Sequence, residues 1–128
     1  MKIVKINNYD LIKEFSKSCK EKGMNFDEDN EYYGIVNDNG KLISIASYKI
    51  MKNGQVRFKS NYTLPEERRK GYMYNLIKFI IEKNEFKDMK TYCLKSSVGI
   101  YARLGFNLSK VEKHKYFDTY IMELKKWK

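Results

Sequence analysis

Metal and disulfide chemistry have little to work with in this chain, which carries two cysteines and one histidine among 128 residues. Cys19 and Cys93 stand apart with no C-x-x-C spacing, and His114 sits in a charged stretch. No ligand cluster results, so no metal is expected, and two isolated cysteines read as reduced packing residues of a cytoplasmic protein. Mean hydropathy is −0.69, and no apolar run approaches the ~20 residues of a membrane span, so no membrane partner is expected. Residues 1–5 read as the start of a strand rather than a signal peptide. Neither G-x-x-x-x-G-K-[ST] nor G-x-G-x-x-G occurs, which removes the nucleotide-hydrolase loop and the dinucleotide fingerprint. Repeats, linkers and low-complexity segments are missing too, so residues 1–128 read as one domain with a modest core.

Positive charge is abundant: Lys+Arg 26 against Asp+Glu 16, a net of +10. Two explanations compete. One is attraction of a polyanion by a small basic α+β module that binds nucleic acid without catalysis. The other is a lysine-rich surface plus one local site for a highly phosphorylated small molecule. Lys13, Lys17, Lys20, Lys41, Lys52, Lys83, Lys125 and Lys126 are spread along the chain, which favours the second. No paired aromatic motif of an RNA-binding sheet supports the first.

The most informative stretch is residues 56–82. Val56, Phe58, Tyr62 and Leu64 alternate as one face of a strand, and Pro65, which cannot donate to a ladder, closes it. Arg68, Arg69, Lys70 and Gly71 then lead into a helix with an apolar stripe of Met73, Leu76, Ile77, Ile80 and Ile81. Unpaired amides and the peptide dipoles make such a helix tip an anion site, and Gly71 lets a phosphate approach the backbone.

Thr63-Leu64-Pro65-Glu66-Glu67-Arg68-Arg69-Lys70-Gly71-Tyr72-Met73 resembles the acetyl-CoA loop of the GNAT superfamily of N-acetyltransferases. Ile100-Tyr101-Ala102-Arg103-Leu104-Gly105-Phe106 is similar to that family's L-Y-x-x-L-G-F segment, and the two pieces stand in the family's order. Thr63 and Met73 depart from the pattern, which usually has a branched apolar residue and a small one there. Met73 lies on the core stripe of its helix, where a thioether fills gaps; alternatively, its bulk narrows the pyrophosphate seat.

The resemblance implies an acetyl-CoA-dependent enzyme that acetylates a primary amine by direct attack on the thioester. It further implies that backbone groups of Asn61, Tyr62 and Thr63 hold pantetheine like an added strand. Backbone amides of Arg69, Lys70, Gly71, Tyr72, Met73 and Tyr74 would hold the pyrophosphate, with the Arg68 side chain nearby. Tyr101 takes the position that protonates the departing thiolate; its competing role is packing beneath Gly105 and Phe106. The acceptor is a small molecule, a peptide or an aminoacyl-RNA, and a homodimer is compatible with all of these.

No Asp or Glu lies between Asp38 and Glu66, so no general base is assigned, and Glu31 reads as a solvated residue at a strand start. Arg57, Lys59, Asn61 and Thr63 alternate with the apolar face at 56–64, so a partly wet face is expected there. Arg57 and Lys59 on it would favour an anionic acceptor, or simply decorate a surface.

The remaining elements follow from periodicity. Strands are expected at residues 2–6, 31–37, 41–52, 89–95, 106–112 and 115–124. Helices are expected at residues 9–20, capped by Asn7 or Asn8 and stopped by Gly23, and at 97–104. One buried face of the first helix would carry Leu11, Ile12, Phe15 and Cys19. Residues 23–30 leave room only for a loop or a single turn, which opens the acceptor side. Residues 125–128 form a tail expected to fray. The order makes an α+β domain: a mixed, mostly antiparallel central sheet with helices on both faces, GNAT-like.

Overall fold

The structure, a computed structural model, describes residues 2–19 and 24–125. The strands are β1 (Lys2–Ile6), β2 (Glu31–Val36), β3 (Leu42–Ile50), β4 (Val56–Phe58), β5 (Tyr62–Thr63), β6 (Met89–Cys93), β7 (Asn107–Lys113) and β8 (Asp118–Leu124). The helices are α1 (Tyr9–Ser16), α2 (Tyr72–Lys83) and α3 (Lys95–Arg103), with a 3-10 turn at Pro65–Glu67. The strands form one sheet in the order β1-β2-β3-β4-β6-β8-β7, with β5 paired to β3 beyond the end of β4. Every pairing is antiparallel except β4 with β6, which the α2 crossover joins in parallel.

Local chemistry explains the turns and the tight spots. Asn37 Oδ1 accepts from the amides of Asn39 and Lys41, and Gly40 (φ 79°) completes the β2–β3 turn. At Gly34 in β2, a Cβ would sit 2.5 Å from Leu42 Cδ1 and 3.1 Å from the Ser44 carbonyl oxygen, so a larger residue there would have to displace the Leu42 side chain. Asn8 caps α1 by accepting from the Asp10 amide. That helix stops at Ser16, short of the expected residue 20, while Lys20 and Gly23 lie outside the described residues, as does the tail at 126–128. Ile12 and Phe15 are buried but Leu11 is exposed, so its place on the core face is corrected. Residues 24–30 carry only a turn, as their length implies.

Helices cover both faces. α2 and α3 pack on one: Phe79 meets Tyr33, and Tyr101 meets Phe58. α1 packs on the other, where Phe15 meets Tyr62 edge-on at 6.1 Å. Leu76, Ile77, Ile80 and Ile81 of α2 are buried and Met73 packs partly against the same core.

The strand expected to run unbroken from Val56 to Tyr62 is interrupted. Tyr48 pairs with Phe58, yet Ile45 pairs with Tyr62, so three steps along β3 are matched by four along its neighbour. The extra residue is a β-bulge, and it turns every later side chain to the opposite face. Phe58 therefore points at α3 while Tyr62 points at α1, which corrects the expectation of one apolar face. The alternating polar face dissolves with it: Arg57 lies on the α1 side, level with Lys49, and Thr63 lies on the α2 side, level with Ser44.

Candidate active site

The bulge is held by one buried serine. Ser47 accepts from the Lys59 amide through its carbonyl (2.9 Å), donates its hydroxyl to the Ser60 carbonyl (2.8 Å), and donates its amide to Asn61 Oδ1 (3.1 Å). Asn61 passes the chain of bonds on, because its Nδ2 donates to the Tyr101 hydroxyl at 2.8 Å. β3, the bulge and α3 are thereby tied at one point. Sequence reasoning missed Ser47 and assigned Asn61 only its backbone, because the bulge that gives both side chains their partners is visible only in the strand pairing.

Downstream of the bulge, β5 is paired with β3 on one side only. β6 leaves β4 after Arg57↔Lys90, so a wedge opens between β5 and the end of β6. An extended chain inserted there would find the free edge of a strand. One acceptor on that edge is already used: Arg68 Nε donates to the Thr63 carbonyl at 2.9 Å, and its guanidinium lies 5.0 Å over the Tyr62 ring. Arg68 is thus folded back along β5 instead of reaching toward the α2 tip. On the α2 side, Ser44 and Thr63 share a hydroxyl hydrogen bond of 2.7 Å.

The wedge leads to the start of α2. Gly71, the N-cap, is left-handed (φ 81°), and no side chain caps the first turn, which holds no acidic residue. Nothing lies within 4 Å of where a Gly71 Cβ would stand. Arg69 also has positive φ (67°), and backbone of this kind turns amides toward a common concavity. Lys70 is partly answered by Glu67, at 2.9 Å. Arg103, which the sequence reading passed over, lies 4.5 Å over the ring of Tyr74 and brings another cation beside the first turn. Tyr72, Met73 and Tyr74 are all half-buried there. A diphosphate fits this seat: open space, uncapped amides and surrounding cations.

Tyr101 lies at the inner end of the wedge and is 1% exposed. Its ring packs against Phe58 (5.6 Å) and Phe106 (5.1 Å). Burial pushes its pKa well above the ordinary tyrosine value, against the opposing pull of Thr91 and Asn61 at the oxygen. The phenol therefore keeps its proton at neutral pH, and with Asn61 donating to the oxygen, that proton is directed elsewhere. Cys93 ends β6 close by, and burial pushes its thiol up to about 11. Glu31, the one carboxylate weighed as a base, is engaged by Lys5 at 2.6 Å on the surface. Among the described residues, no group of three or more His, Cys, Asp or Glu could hold a metal ion.

Comparison with known proteins agrees with this geometry. The sequence pattern of the acetyltransferase (GNAT) family matches residues 4–106. No curated protein matches by sequence. The fold is similar to the ribosomal-protein-S18-alanine N-acetyltransferase of Escherichia coli, with TM-score 0.79, 15% identity, and 96% of this chain and 92% of that one covered. It is also similar to Arabidopsis thaliana NAA60 in complex with acetyl-CoA (TM-score 0.77, 13% identity, 96% and 97% covered). A third likeness is to a GNAT superfamily phosphinothricin acetyltransferase from Sinorhizobium meliloti in complex with AcCoA (TM-score 0.75, 19% identity, 96% and 86% covered). A mixed sheet split beside an uncapped helix tip is the architecture of the acyl-CoA N-acyltransferase fold. The chain belongs to the acetyltransferase (GNAT) family.

Proposed function

We propose that this enzyme transfers the acetyl group from acetyl-CoA to a primary amine in one step, with Tyr101 as the proton donor to the leaving sulfur. The observation that carries the assignment is the convergence of three features on one wedge: the free edge of β5, the uncapped tip of α2 and the Tyr101 hydroxyl. Backbone groups of Asn61, Tyr62 and Thr63 hold the pantetheine arm, and Arg68 gives up the Thr63 carbonyl as the arm enters. Amides of residues 69–74 hold the diphosphate, with Arg69, Lys70 and Arg103 adding charge.

The amine's nitrogen attacks the thioester carbonyl, the carbon–sulfur bond breaks, and the Tyr101 O–H donates to sulfur. A covalent acetyl-cysteine route is disfavoured by the state of Cys93. With its pKa at about 11, only about one molecule in 10⁴ carries a thiolate at pH 7. The incoming amine loses its proton to water, since no carboxylate of the described chain has been placed at the wedge. Met73 acts as packing for α2 and leaves the seat open.

The two free cysteines support a reducing, cytoplasmic setting, and among the described residues no helix is long and apolar enough to cross a membrane. Light scattering decides between a monomer and a homodimer.

Thermal melting tests the assignment. Acetyl-CoA at a hundred times its Kd adds about 2.7 kcal/mol to folded-state stability, and a clear rise in Tm is expected at moderate salt. Heparin, an unrelated polyanion, should give no such rise at the same salt. Equal shifts that both vanish as salt increases would leave only a basic surface and overturn the enzyme reading.

A further inference from the structure

Resting on that reading, we propose that the enzyme selects an acceptor amine carrying an anionic group, a carboxylate or phosphate, and that Arg57 on its Tyr92 platform is the anion's site. The register of the sheet sets three cations side by side. Lys49 stands opposite Arg57, Arg57 opposite Lys90, and Lys90 opposite Glu123, on four adjacent strands. Like charges directly opposite across strands are destabilising, so a row of three needs partners.

Two of the three have them. Lys49 pairs with Asp29 at 2.9 Å, an aspartate on the loop of residues 24–30. Lys90 faces Glu123 across the register; that carboxyl, 3.4 Å from Lys125, is held below the usual carboxylate range by Ser109 first, and then by Lys125 and Lys90 against its slight burial. Arg57, in the middle, meets no carboxylate among the described residues. Its Nη2 donates to Gln55 Oε1 at 3.2 Å, and its Nε–H is buried with no hydrogen-bond partner. The guanidinium lies 5.2 Å from the Tyr92 ring centroid, and the Lys90 ammonium lies 5.3 Å from the same centroid. Two cations gathered at one ring repel each other, and an anion beside them relieves that repulsion.

The cluster is also correctly placed to act on an acceptor. Arg57, Lys90 and Tyr92 project from the face opposite α2 and α3, and Tyr92 is 44% exposed. Arg57 is the last residue to pair with β6 before the wedge opens. It precedes Asn61 by three sheet steps once the bulge is discounted, so its backbone lies roughly 10 Å from that of Asn61 at the wedge. An amine at the wedge and an anion roughly 10 Å away match the span from a peptide's first nitrogen to the side chain of its third residue. An Arg fork takes carboxylate and phosphate alike.

The experiment uses the full chain and amidated tetrapeptides Ala-Ala-X-Ala, with X as Glu, phosphoserine, Gln or Lys. Acetyl-CoA affinity by calorimetry is measured first, in wild type and in Arg57→Glu. Thiol release is then followed with each peptide, and the Arg Nε–H NMR signals are followed as each peptide is added, which needs no turnover. Arg57 Nε–H should shift with Glu or phosphoserine and stay still with Gln. kcat/KM should be at least about tenfold higher for the acidic peptides, and Arg57→Glu should invert the preference toward Lys while leaving acetyl-CoA affinity intact. The Glu and phosphoserine arms separate a carboxylate site from a phosphate site. Normal acetyl-CoA binding with no difference between Glu and Gln, in either rate or NMR response, overturns the anion site while the enzyme assignment stands. Wild-type protein that binds no acetyl-CoA overturns the assignment and this inference with it.

Discussion

Tyr101 holds a neutral phenol in a place where a charged one would be poorly solvated. The same burial that raises its pKa makes it a reluctant acid in the resting protein, and in the proposed mechanism it acts only once a thiolate forms beside it. Tyr101→Phe keeps the ring contacts with Phe58 and Phe106 and removes the hydroxyl, the proton donor and also the acceptor of Asn61 Nδ2. kcat should fall by about 10²–10⁴, with acetyl-CoA affinity by calorimetry unchanged; full turnover would return Tyr101 to a packing role. Because burial holds the phenol protonated, no loss of rate traceable to this residue should appear up to about pH 10, the ordinary tyrosine value. Asn61 carries a different burden. Asn61→Ala removes the acceptor of a Ser47 amide in a residue that is fully buried, and an orphaned buried donor costs about 1–3 kcal/mol. Urea unfolding should show that loss. Turnover should fall as well, since the Tyr101 hydroxyl loses the donor that orients it.

The start of α2 does at the scale of an element what no single side chain does, because its amides act together and have no competitor. Its left-handed Gly71 sets the angle at which the chain enters the helix. Gly71→Ala meets no atom within 4 Å, so the cost comes from backbone strain alone, about 1–2 kcal/mol. Acetyl-CoA affinity should drop about tenfold, equivalent to ~1.4 kcal/mol, as the first-turn amides rotate; calorimetry reads it directly. An unchanged Kd would move the diphosphate seat away from this tip. This element was legible from the sequence because glycine, basic residues and an apolar stripe follow one another in a short span. The neighbouring strand was legible only in part. A bulge adds one residue without altering the alternation of residue types, so Val56, Phe58 and Tyr62 look like one face although pairing puts Tyr62 on the other. The Ser47 amide that stabilises the bulge comes from a strand whose central residues, 43–48, are all buried, where one serine carries no mark of its role. Arg57 was readable as a cation near the acceptor side, but its missing partner became visible only when the register placed Lys49 and Lys90 on either side of it.

Across the whole molecule, the excess of ten positive charges has no single owner. Lys5, Lys17, Lys49, Lys70, Lys113 and Lys125 each lie within 4.0 Å of a carboxylate, and these solvated pairs add little stability. The unbalanced remainder makes a diffuse positive field toward the proposed co-substrate, acetyl-CoA, which carries several negative charges. Such a field acts on encounter, because it draws the ligand from a distance, whereas in the proposed site the bound state is held by short-range amide contacts. Raising ionic strength from about 0.1 M to 1 M shortens the screening length from about 10 Å to about 3 Å. Stopped-flow binding of acetyl-CoA should therefore show kon falling by about tenfold or more, with koff changing far less. If koff rises in step with the fall of kon, charge is holding the ligand as well as steering it, and surface lysines must be counted into the seat itself.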